Sequence, residues 1–172
     1  GIARWNGSRW STLGTGLDNG FSGVEVLAFA VSAGALYVGG RFAEAGGQPA
    51  NHVASWNGSN WSSLGTGVGD EFSGVVRALA VIGGDLYAGG RFFEAGGEPV
   101  RCVARWNGSS WSALSTGLGQ AINDCVYALA VSGSDLYVGG YFSQAGDQPA
   151  NGIARWNGSS WSPLGSGAEN GV

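Results

Sequence analysis

Short apolar runs recur along the chain about every 50 residues, and turn-forming residues separate them. The stretch 75–115 shows one complete unit. Its apolar runs lie at residues 75–81, 86–92, 102–106 and 109–114. No stretch of the chain shows the 3.6-residue periodicity of an amphipathic helix. The pattern predicts four short antiparallel strands in each unit, with a turn at residues 82–85 and a glycine-rich loop at residues 93–101.

The last two strands of each unit enclose a Trp-Asn-Gly-Ser motif that occurs four times. The first tryptophans are Trp5, Trp56, Trp106 and Trp156, so the spacing is 51, then 50, then 50 residues. Asn-Gly favours a two-residue type I′ turn. With Asn107 and Gly108 in the turn, Trp106 would pair with Ser109 and the two tryptophans of each hairpin would lie diagonally on one face.

Two further details of the pattern carry predictions. Residues 24–31 read as a first strand one residue longer than its counterparts, and we interpret the 51-residue spacing as a β-bulge there. Gly-Gly pairs at 39–40, 89–90 and 139–140 interrupt the second strand. We expect these glycines to let a tryptophan of an adjacent strand or blade approach the backbone.

Four-stranded units at this period predict an all-β fold, a β-propeller of four-stranded antiparallel blades. Residues 1–172 are a single propeller segment of about three and a half blades. We divide it into a half blade of two outer strands at 1–17, three blades at 24–65, 75–115 and 125–165, and the start of the next connection at 166–172. Rings close at roughly four to eight blades. We therefore expect further blades as partners, from the same longer chain or from another copy, and favour the longer chain.

The repeat resembles a known family. Leu136-Tyr137-Val138-Gly139-Gly140-Tyr141-Phe142, followed by Ala154-Arg155-Trp156-Asn157-Gly158, is similar to Kelch repeats of galactose-oxidase-like propellers. It is most similar to the glycine-rich variant of bacterial surface proteins and fungal cortical polarity markers, although the Trp-to-Trp spacing is tighter here. The resemblance implies a propeller fold and an extracellular or cell-surface location. It implies little about activity, because the family includes enzymes, adhesins and scaffolds.

Composition disfavours two classes of partner. The chain has a net charge of −4, with eight basic residues that are all arginine, and no basic run that could neutralise phosphates. We expect no nucleic acid partner. No run approaches the ~18 apolar residues that span a bilayer, so we expect no membrane insertion.

Few residues favour catalysis or metal binding. The single histidine, His52, lies before a third strand, and we interpret it as a polar residue at a loop edge rather than a catalytic base. One histidine cannot build the copper site of galactose oxidase. We therefore predict a non-enzyme without cofactor. Acidic residues recur in the loops between blades, at Asp18-Asn19 and at the pairs 70–71, 123–124 and 169–170. We interpret them as solvated side chains, with calcium binding as the weaker alternative.

Cys102 and Cys125 are absent from the matching positions of the other units. They could form a disulfide or remain two separate buried thiols, and the sequence leaves both open.

The remaining candidates are glycosylation and ligand contacts. The Asn-Gly-Ser triplets are turns that also form N-glycosylation acceptors at Asn6, Asn57, Asn107 and Asn157. Asn60 forms a fifth acceptor, disfavoured because it would lie within the hairpin. The candidate contacts to a sugar or protein partner are two rows of side chains: Arg4, Arg105 and Arg155, and Arg41, Arg91 and Tyr141.

We predict a non-enzymatic extracellular structural or protein-interaction module. The first alternative is a lectin that binds sugars between blades with Trp and Arg, unless both tryptophan rows are blade-to-blade core. The second is the non-catalytic portion of a larger secreted enzyme.

Overall fold

The computed structural model describes residues 1–20, 23–69, 74–118 and 125–164, where all regular structure is β-strand. The predicted all-β class is confirmed. These residues include no helix long and apolar enough to cross a membrane. The predicted connection at 166–172 lies outside the described residues.

The strands form one half-blade and three complete blades. In chain order they are β1 (Ala3–Trp5), β2 (Trp10–Thr12), β3 (Leu17–Asp18), β4 (Glu25–Ser32), β5 (Ala35–Arg41), β6 (Glu44–Ala45), β7 (Gln48–Pro49), β8 (Val53–Trp56), β9 (Trp61–Ser63), β10 (Val75–Ile82), β11 (Asp85–Arg91), β12 (Glu94–Ala95), β13 (Glu98–Pro99), β14 (Val103–Trp106), β15 (Trp111–Ala113), β16 (Cys125–Ser132), β17 (Asp135–Tyr141), β18 (Gln144–Ala145), β19 (Gln148–Pro149), β20 (Ile153–Trp156) and β21 (Trp161–Pro163). The half-blade is the antiparallel pair β1–β2. Blade 1 is the sheet β4-β5-β8-β9, blade 2 is β10-β11-β14-β15 and blade 3 is β16-β17-β20-β21.

The glycine-rich loop of each blade contains a small hairpin that the apolar pattern did not predict. In blade 2 this hairpin pairs β12 with β13, and equivalent hairpins occur in the other two blades. Each hairpin also bonds to the connection that leaves the preceding blade, as β6 does with β3. The loop therefore joins consecutive blades.

The turn prediction for the Trp-Asn-Gly-Ser hairpin was wrong. Trp106 pairs with Trp111, and residues 107–110 form a four-residue loop. The Asn107 carboxamide oxygen accepts hydrogen bonds from the backbone N–H groups of Ser109 and Ser110, both at 2.9 Å. This side-chain closure replaces the type I′ turn. Both central residues have positive φ instead in the turns between the first and second strands of blades 1 and 2, as at Gly83 (61°) and Gly84 (97°).

The predicted bulge is present in the first strand of blade 1, between Val26 and Ala28, but that strand is not longer than its counterparts and the bulge does not account for the 51-residue spacing. All three first strands are eight residues long, and each carries a register shift, between Val76 and Ala78 in blade 2. The bulge therefore belongs to every blade. The extra residue of the 51-residue spacing lies in the first connection, because Leu17 to Glu25 is eight positions, whereas Val68 to Val75 is seven.

The Gly-Gly pairs permit close approach, but to other partners than expected. A Cβ on Gly89 would lie 2.5 Å from Cγ1 of Val126 in the next blade, and one on Gly90 would overlap the backbone oxygen of Val75. The first glycine thus lets the next blade pack against the second strand, and the second glycine leaves room for the bulge of the first strand. Tryptophans approach different glycines: a Cβ on Gly96 would lie 3.2 Å from Trp111.

The hydrophobic core lies between consecutive blades, and the tryptophan hairpins close its outer edge. One cluster joins blade 2 to blade 3, a second joins blade 1 to blade 2, and a third lies between the half-blade and blade 1. The second tryptophan of each complete blade donates its indole N–H to a leucine oxygen of the preceding unit. These bonds, which we call the indole latches, are Trp61 to Leu13 (2.8 Å), Trp111 to Leu64 (2.7 Å) and Trp161 to Leu114 (2.9 Å).

Candidate functional site

Each blade has two ends with different chemistry. The turn end carries the two-residue turns and the Trp hairpin loops, at 83–84 and 107–110 in blade 2. The loop end carries the start of the first strand, the end of the second strand and the glycine-rich loop at 93–101. The two rows of predicted contact residues lie at opposite ends, so the fold does not join them into one site.

The row at the turn end belongs largely to ion pairs within the blades. Arg105 lies 2.6 Å from the carboxylate of Asp85, and Arg155 lies 3.4 Å from that of Asp135. Burial raises the pKa of Tyr87 beside this first pair, while the charge of Arg105 opposes the rise. These arginines connect the third strand to the second. Arg4, in the half-blade, forms no ion pair among the described residues.

The row at the loop end is exposed and lies near the inner edge of the blades, where the first strands of neighbouring blades pack together. Arg41 lies 4.0 Å from Glu25, and the Tyr141 side chain is 65% exposed. The guanidinium carbon of Arg77 stands 5.6 Å from the centre of the Tyr127 ring. Arginine and tyrosine therefore share this inner rim.

The tryptophan rows are blade-to-blade core in blades 2 and 3. Trp111 is 5% exposed and Trp161 is 7% exposed, so neither ring face is open to a sugar. Trp5 and Trp10, in the half-blade, are exposed, with ring centres 5.5 Å apart. Sugar stacking on the repeated tryptophans of blades 2 and 3 is incompatible with this packing.

The four candidate glycosylation asparagines lie in the exposed hairpin loops at the turn end. In each, the side-chain oxygen accepts two backbone N–H bonds, as from Ser8 and Arg9 to Asn6 at 3.0 and 2.9 Å. Asn60 also lies in an exposed loop, so the reason given for disfavouring it was wrong. Asn57, Asn107 and Asn157 close their loops in the same way.

The two cysteines are thiols, not a disulfide. Cys102 packs in the core between blades 2 and 3, and Cys125 begins the first strand of blade 3. The structure therefore has the arrangement of the second alternative, two separate buried thiols. Burial raises the pKa of Cys125, and the nearby charges of Arg77 and Arg91 oppose the rise.

His52 and the acidic loops do not assemble a metal centre among the described residues, which contain no cluster of three or more candidate ligands. His52 lies in the turn directly before β8, at a loop edge as predicted, and its side chain is buried, at 1% exposed. It packs against Gly74, where a Cβ would lie 2.6 Å from its ring. Asp18 accepts backbone N–H bonds from Asn19 and Gly20, at 2.6 and 3.0 Å. The acidic pairs at 70–71, 123–124 and 169–170 lie outside the described residues.

One concave site at the loop end coincides with a local departure from the repeat. A pocket of about 550 Å³ is bordered by Phe93, Val100, Arg101, Ser115 and Thr116. Blade 1 has Ala43, Ala50, Asn51 and Gly65 at the positions of the first four of these residues. The Arg101 guanidinium carbon lies 6.0 Å from the centre of the Phe93 ring, and Phe93 is 42% exposed. We call this site the Phe93 pocket.

The comparisons agree with this architecture. A family model described as "Domain of unknown function (DUF5122) beta-propeller" matches residues 135–159, from the second strand of blade 3 to its hairpin loop. The chain forms blades of a β-propeller. A search of curated proteins gives no match.

Sequence reasoning missed the Phe93 pocket of this propeller segment, because it looked for residues that repeat. The signal that could have found it is a residue that differs between the repeats. At the position of Phe93, blades 1 and 3 have the smaller residues Ala43 and Ser143. At the position of Arg101, they have the uncharged residues Asn51 and Asn151. In a repeat protein, such substitutions are not required by the packing that all copies share, so two of them in one pocket point to a specific role.

Proposed function

We propose that this propeller segment is a non-enzymatic interaction module, located outside the cell or at its surface, that binds a protein partner at the Phe93 pocket. The observation that carries the proposal is the pairing of an exposed aromatic ring with an arginine in a concave site where blade 2 departs from its sister blades. Aromatic and arginine side chains dominate the binding energy of protein interfaces.

The residues that repeat from blade to blade serve the fold rather than the proposed binding site. The indole latches, the Arg–Asp pairs and the first glycine of each Gly-Gly pair all contact other parts of the blades. They build the scaffold. At the loop end, Phe93 and Arg101 differ from their counterparts in blades 1 and 3, and they are available to discriminate partners. The Kelch-like resemblance is compatible with this role and remains part of the proposal.

The extracellular location is supported by the resemblance and by the exposed Asn-Gly-Ser loops. If the chain passes through a glycosylating secretory route, Asn6, Asn57, Asn107 and Asn157 present their acceptor side chains at surface loops. The intact mass of native material, compared with the 17.4 kDa of the polypeptide, measures this directly.

A lectin is the second candidate, because Ser115 and Thr116, which carry hydroxyl groups, line the same pocket as Phe93 and Arg101. An aromatic face with nearby hydrogen-bonding groups can hold a sugar ring as well as a peptide side chain. The site for either ligand would be the same pocket.

The test uses the repeat itself to design a matched control. The double variant Phe93→Ala and Arg101→Asn restores the residues of blade 1, so it keeps residues that the fold already accepts. A random peptide library is selected on the original chain, and each binder is then measured on the double variant. We expect binders whose affinity falls at least about tenfold, as for the loss of an interface anchor.

Binders that recognise both proteins equally would contradict the proposed site. A parallel titration with simple sugars, followed by isothermal calorimetry, separates the two candidates. Saturable sugar binding at sub-millimolar concentration that disappears in the double variant would favour the lectin over the protein-interaction module.

A further inference from the structure

Blade 2 carries two arginines at the inner rim that blades 1 and 3 do not carry together. Arg77 is the residue at the bulge of its first strand, where blade 1 has Leu27 and blade 3 has Tyr127. Arg91 ends the second strand and pairs with Val75 across the sheet. Side chains at the positions of both arginines are exposed in all three blades, including blade 2, which is packed between two others. This part of the rim is therefore open to a ligand.

Both arginine side chains face the start of blade 3. Gly89 packs against that blade, and Arg91 follows two positions later, on the same face of the strand. The guanidinium carbon of Arg77 lies 5.6 Å from the centre of the Tyr127 ring. Burial raises the pKa of the Cys125 thiol at the start of that blade, and the charges of Arg77 and Arg91 both oppose the rise. The two guanidinium groups therefore converge on the same few residues.

Neither arginine has a carboxylate partner in the part of the chain that the structure describes. In blade 1, Arg41 occupies the position of Arg91 and lies 4.0 Å from Glu25. Blade 2 has Val75 at the position of that glutamate. Compared with blade 1, its rim has gained one positive charge and lost one negative charge, although the net charge of the chain is −4. The packing that all blades share does not require this change.

We propose that Arg77 and Arg91, which we call the rim arginines, bind a carboxylate side chain of an acidic protein partner. Arginine presents its N–H donors in a planar fork that fits carboxylate oxygens. The equivalent Arg41 already pairs with a carboxylate, which supports this choice of ligand. Tyr127 contacts the guanidinium of Arg77 through its ring face and holds it in place without using an N–H donor. The site shares no residue with the Phe93 pocket, so the inference goes beyond the function proposed for that pocket.

The first experiment uses a hexaglutamate peptide as the probe. The fluorescently labelled peptide is titrated with the whole chain and followed by anisotropy, with hexaglutamine as the uncharged control. We expect saturable binding of hexaglutamate alone, and we expect added salt to weaken it because exposed charges are screened. Absence of hexaglutamate binding at low salt would refute the proposal, whatever the outcome of the library selection on the Phe93 pocket.

The repeat supplies matched variants for both rim arginines. Arg77→Leu introduces the residue of blade 1, and Arg91→Tyr introduces the residue of blade 3. Each should weaken hexaglutamate binding about threefold to tenfold, between the effects of an exposed ion pair and of a charge-assisted hydrogen bond. The control is Arg41→Tyr, which removes an arginine already paired with Glu25 and should weaken binding less than about twofold. Equal losses for Arg41→Tyr and Arg91→Tyr would show unspecific attraction and overturn the site.

A competition experiment tests the chemistry of the ligand. Acetate and inorganic sulfate are added to the complex with hexaglutamate at equal ionic strength. We expect acetate to displace the peptide from the original chain. Displacement by sulfate at a concentration at least about tenfold lower than that of acetate would assign the rim arginines to a sulfate or phosphate group and overturn the choice of carboxylate.

Acidic residues of the chain itself are the remaining competitors for the rim arginines. A variant with Asp70→Asn, Glu71→Gln and Asp124→Asn removes three carboxylates from the connections before and after blade 2. A control variant with the same change of charge has amides at three acids of the glycine-rich loops: Glu44, Glu94 and Glu98. We expect the two variants to bind hexaglutamate equally. Binding at least about tenfold tighter by the first variant would show that an internal carboxylate occupies the site and would overturn its assignment to a partner.

Discussion

Replacing Trp111 by phenylalanine tests whether the indole latches hold the blades together. The substitution keeps a buried aromatic ring but removes the N–H that donates to the Leu64 oxygen at 2.7 Å. Trp111 is 5% exposed and Leu64 is 2% exposed, so water cannot readily replace the lost donor. The blade 1 to blade 2 interface would keep its shape but lose one buried hydrogen bond.

The magnitude follows from the burial. Leaving a buried acceptor without its donor costs about 1–3 kcal/mol. The smaller ring removes further packing, so the total expected loss is about 2–4 kcal/mol. In a chain of this size, each kcal/mol lowers the unfolding midpoint by about 2–4 °C.

The half-blade provides the control. Trp10 occupies the equivalent position but is 67% exposed, so Trp10→Phe should change the free energy of unfolding by no more than about 0.5 kcal/mol. Trp61 is partly buried and donates to the Leu13 oxygen at 2.8 Å, so Trp61→Phe should lie between these two.

Urea unfolding followed by circular dichroism measures all three variants, because fluorescence would itself change with the loss of an indole. The reasoning predicts the order Trp111, then Trp61, then Trp10, from the largest loss to the smallest. Equal losses for Trp111→Phe and Trp10→Phe would refute the latch as a source of stability.

Two further predictions use the same comparison between blades. Gly89→Ala would place a Cβ 2.5 Å from Val126 and should lower the free energy of unfolding by about 1–3 kcal/mol. In the control Gly139→Ala, the atom nearest to the new Cβ lies at 3.9 Å, so the thermal midpoint should change little. Equal thermal midpoints for the two variants would contradict the assigned contact. Burial raises the pKa of the Cys125 thiol in the folded chain above its ordinary value of 9.0. As the pH rises, the thiol therefore loses its proton in the unfolded chain before it does so in the folded chain. The stability that is present below pH 9.0 is then lost as the pH rises through the pKa of the thiol in the folded chain. Cys125→Val, the residue of blade 2, should flatten this alkaline loss in urea unfolding measured from pH 8 to 11, and an unchanged slope would assign the loss to other groups.

Much of the fold was readable from the sequence because the same unit is written several times. Apolar runs such as residues 75–81 and 86–92 predicted strands where the structure has β10 and β11. Three sequence copies reduce the ambiguity of any one run, since a wrong strand would have to recur at the same spacing. Four strands per unit and no helical period then left the propeller as the architecture that buries both sheet faces.

The candidate site was less predictable for two physical reasons. Turn type depends on local competition: the Asn107 side chain closes its loop through two backbone N–H bonds, and propensity for Asn-Gly alone did not reveal this. Burial depends on neighbours that are distant in sequence. The sequence placed His52 at a loop edge, where the structure has it, but did not reveal that its ring is enclosed against Gly74.

The sequence by itself determined the repeat, the four-stranded blade and the half-blade at residues 1–17, because strand periodicity and turn residues act over a few positions. The tertiary structure alone decided which copy of a repeated residue is buried and which is exposed. Trp10 and Trp111 have nearly the same local sequence, but one is 67% exposed and the other 5%. The difference arises because Trp111 has the preceding blade to pack against, and burial is a property of that neighbour rather than of the hairpin.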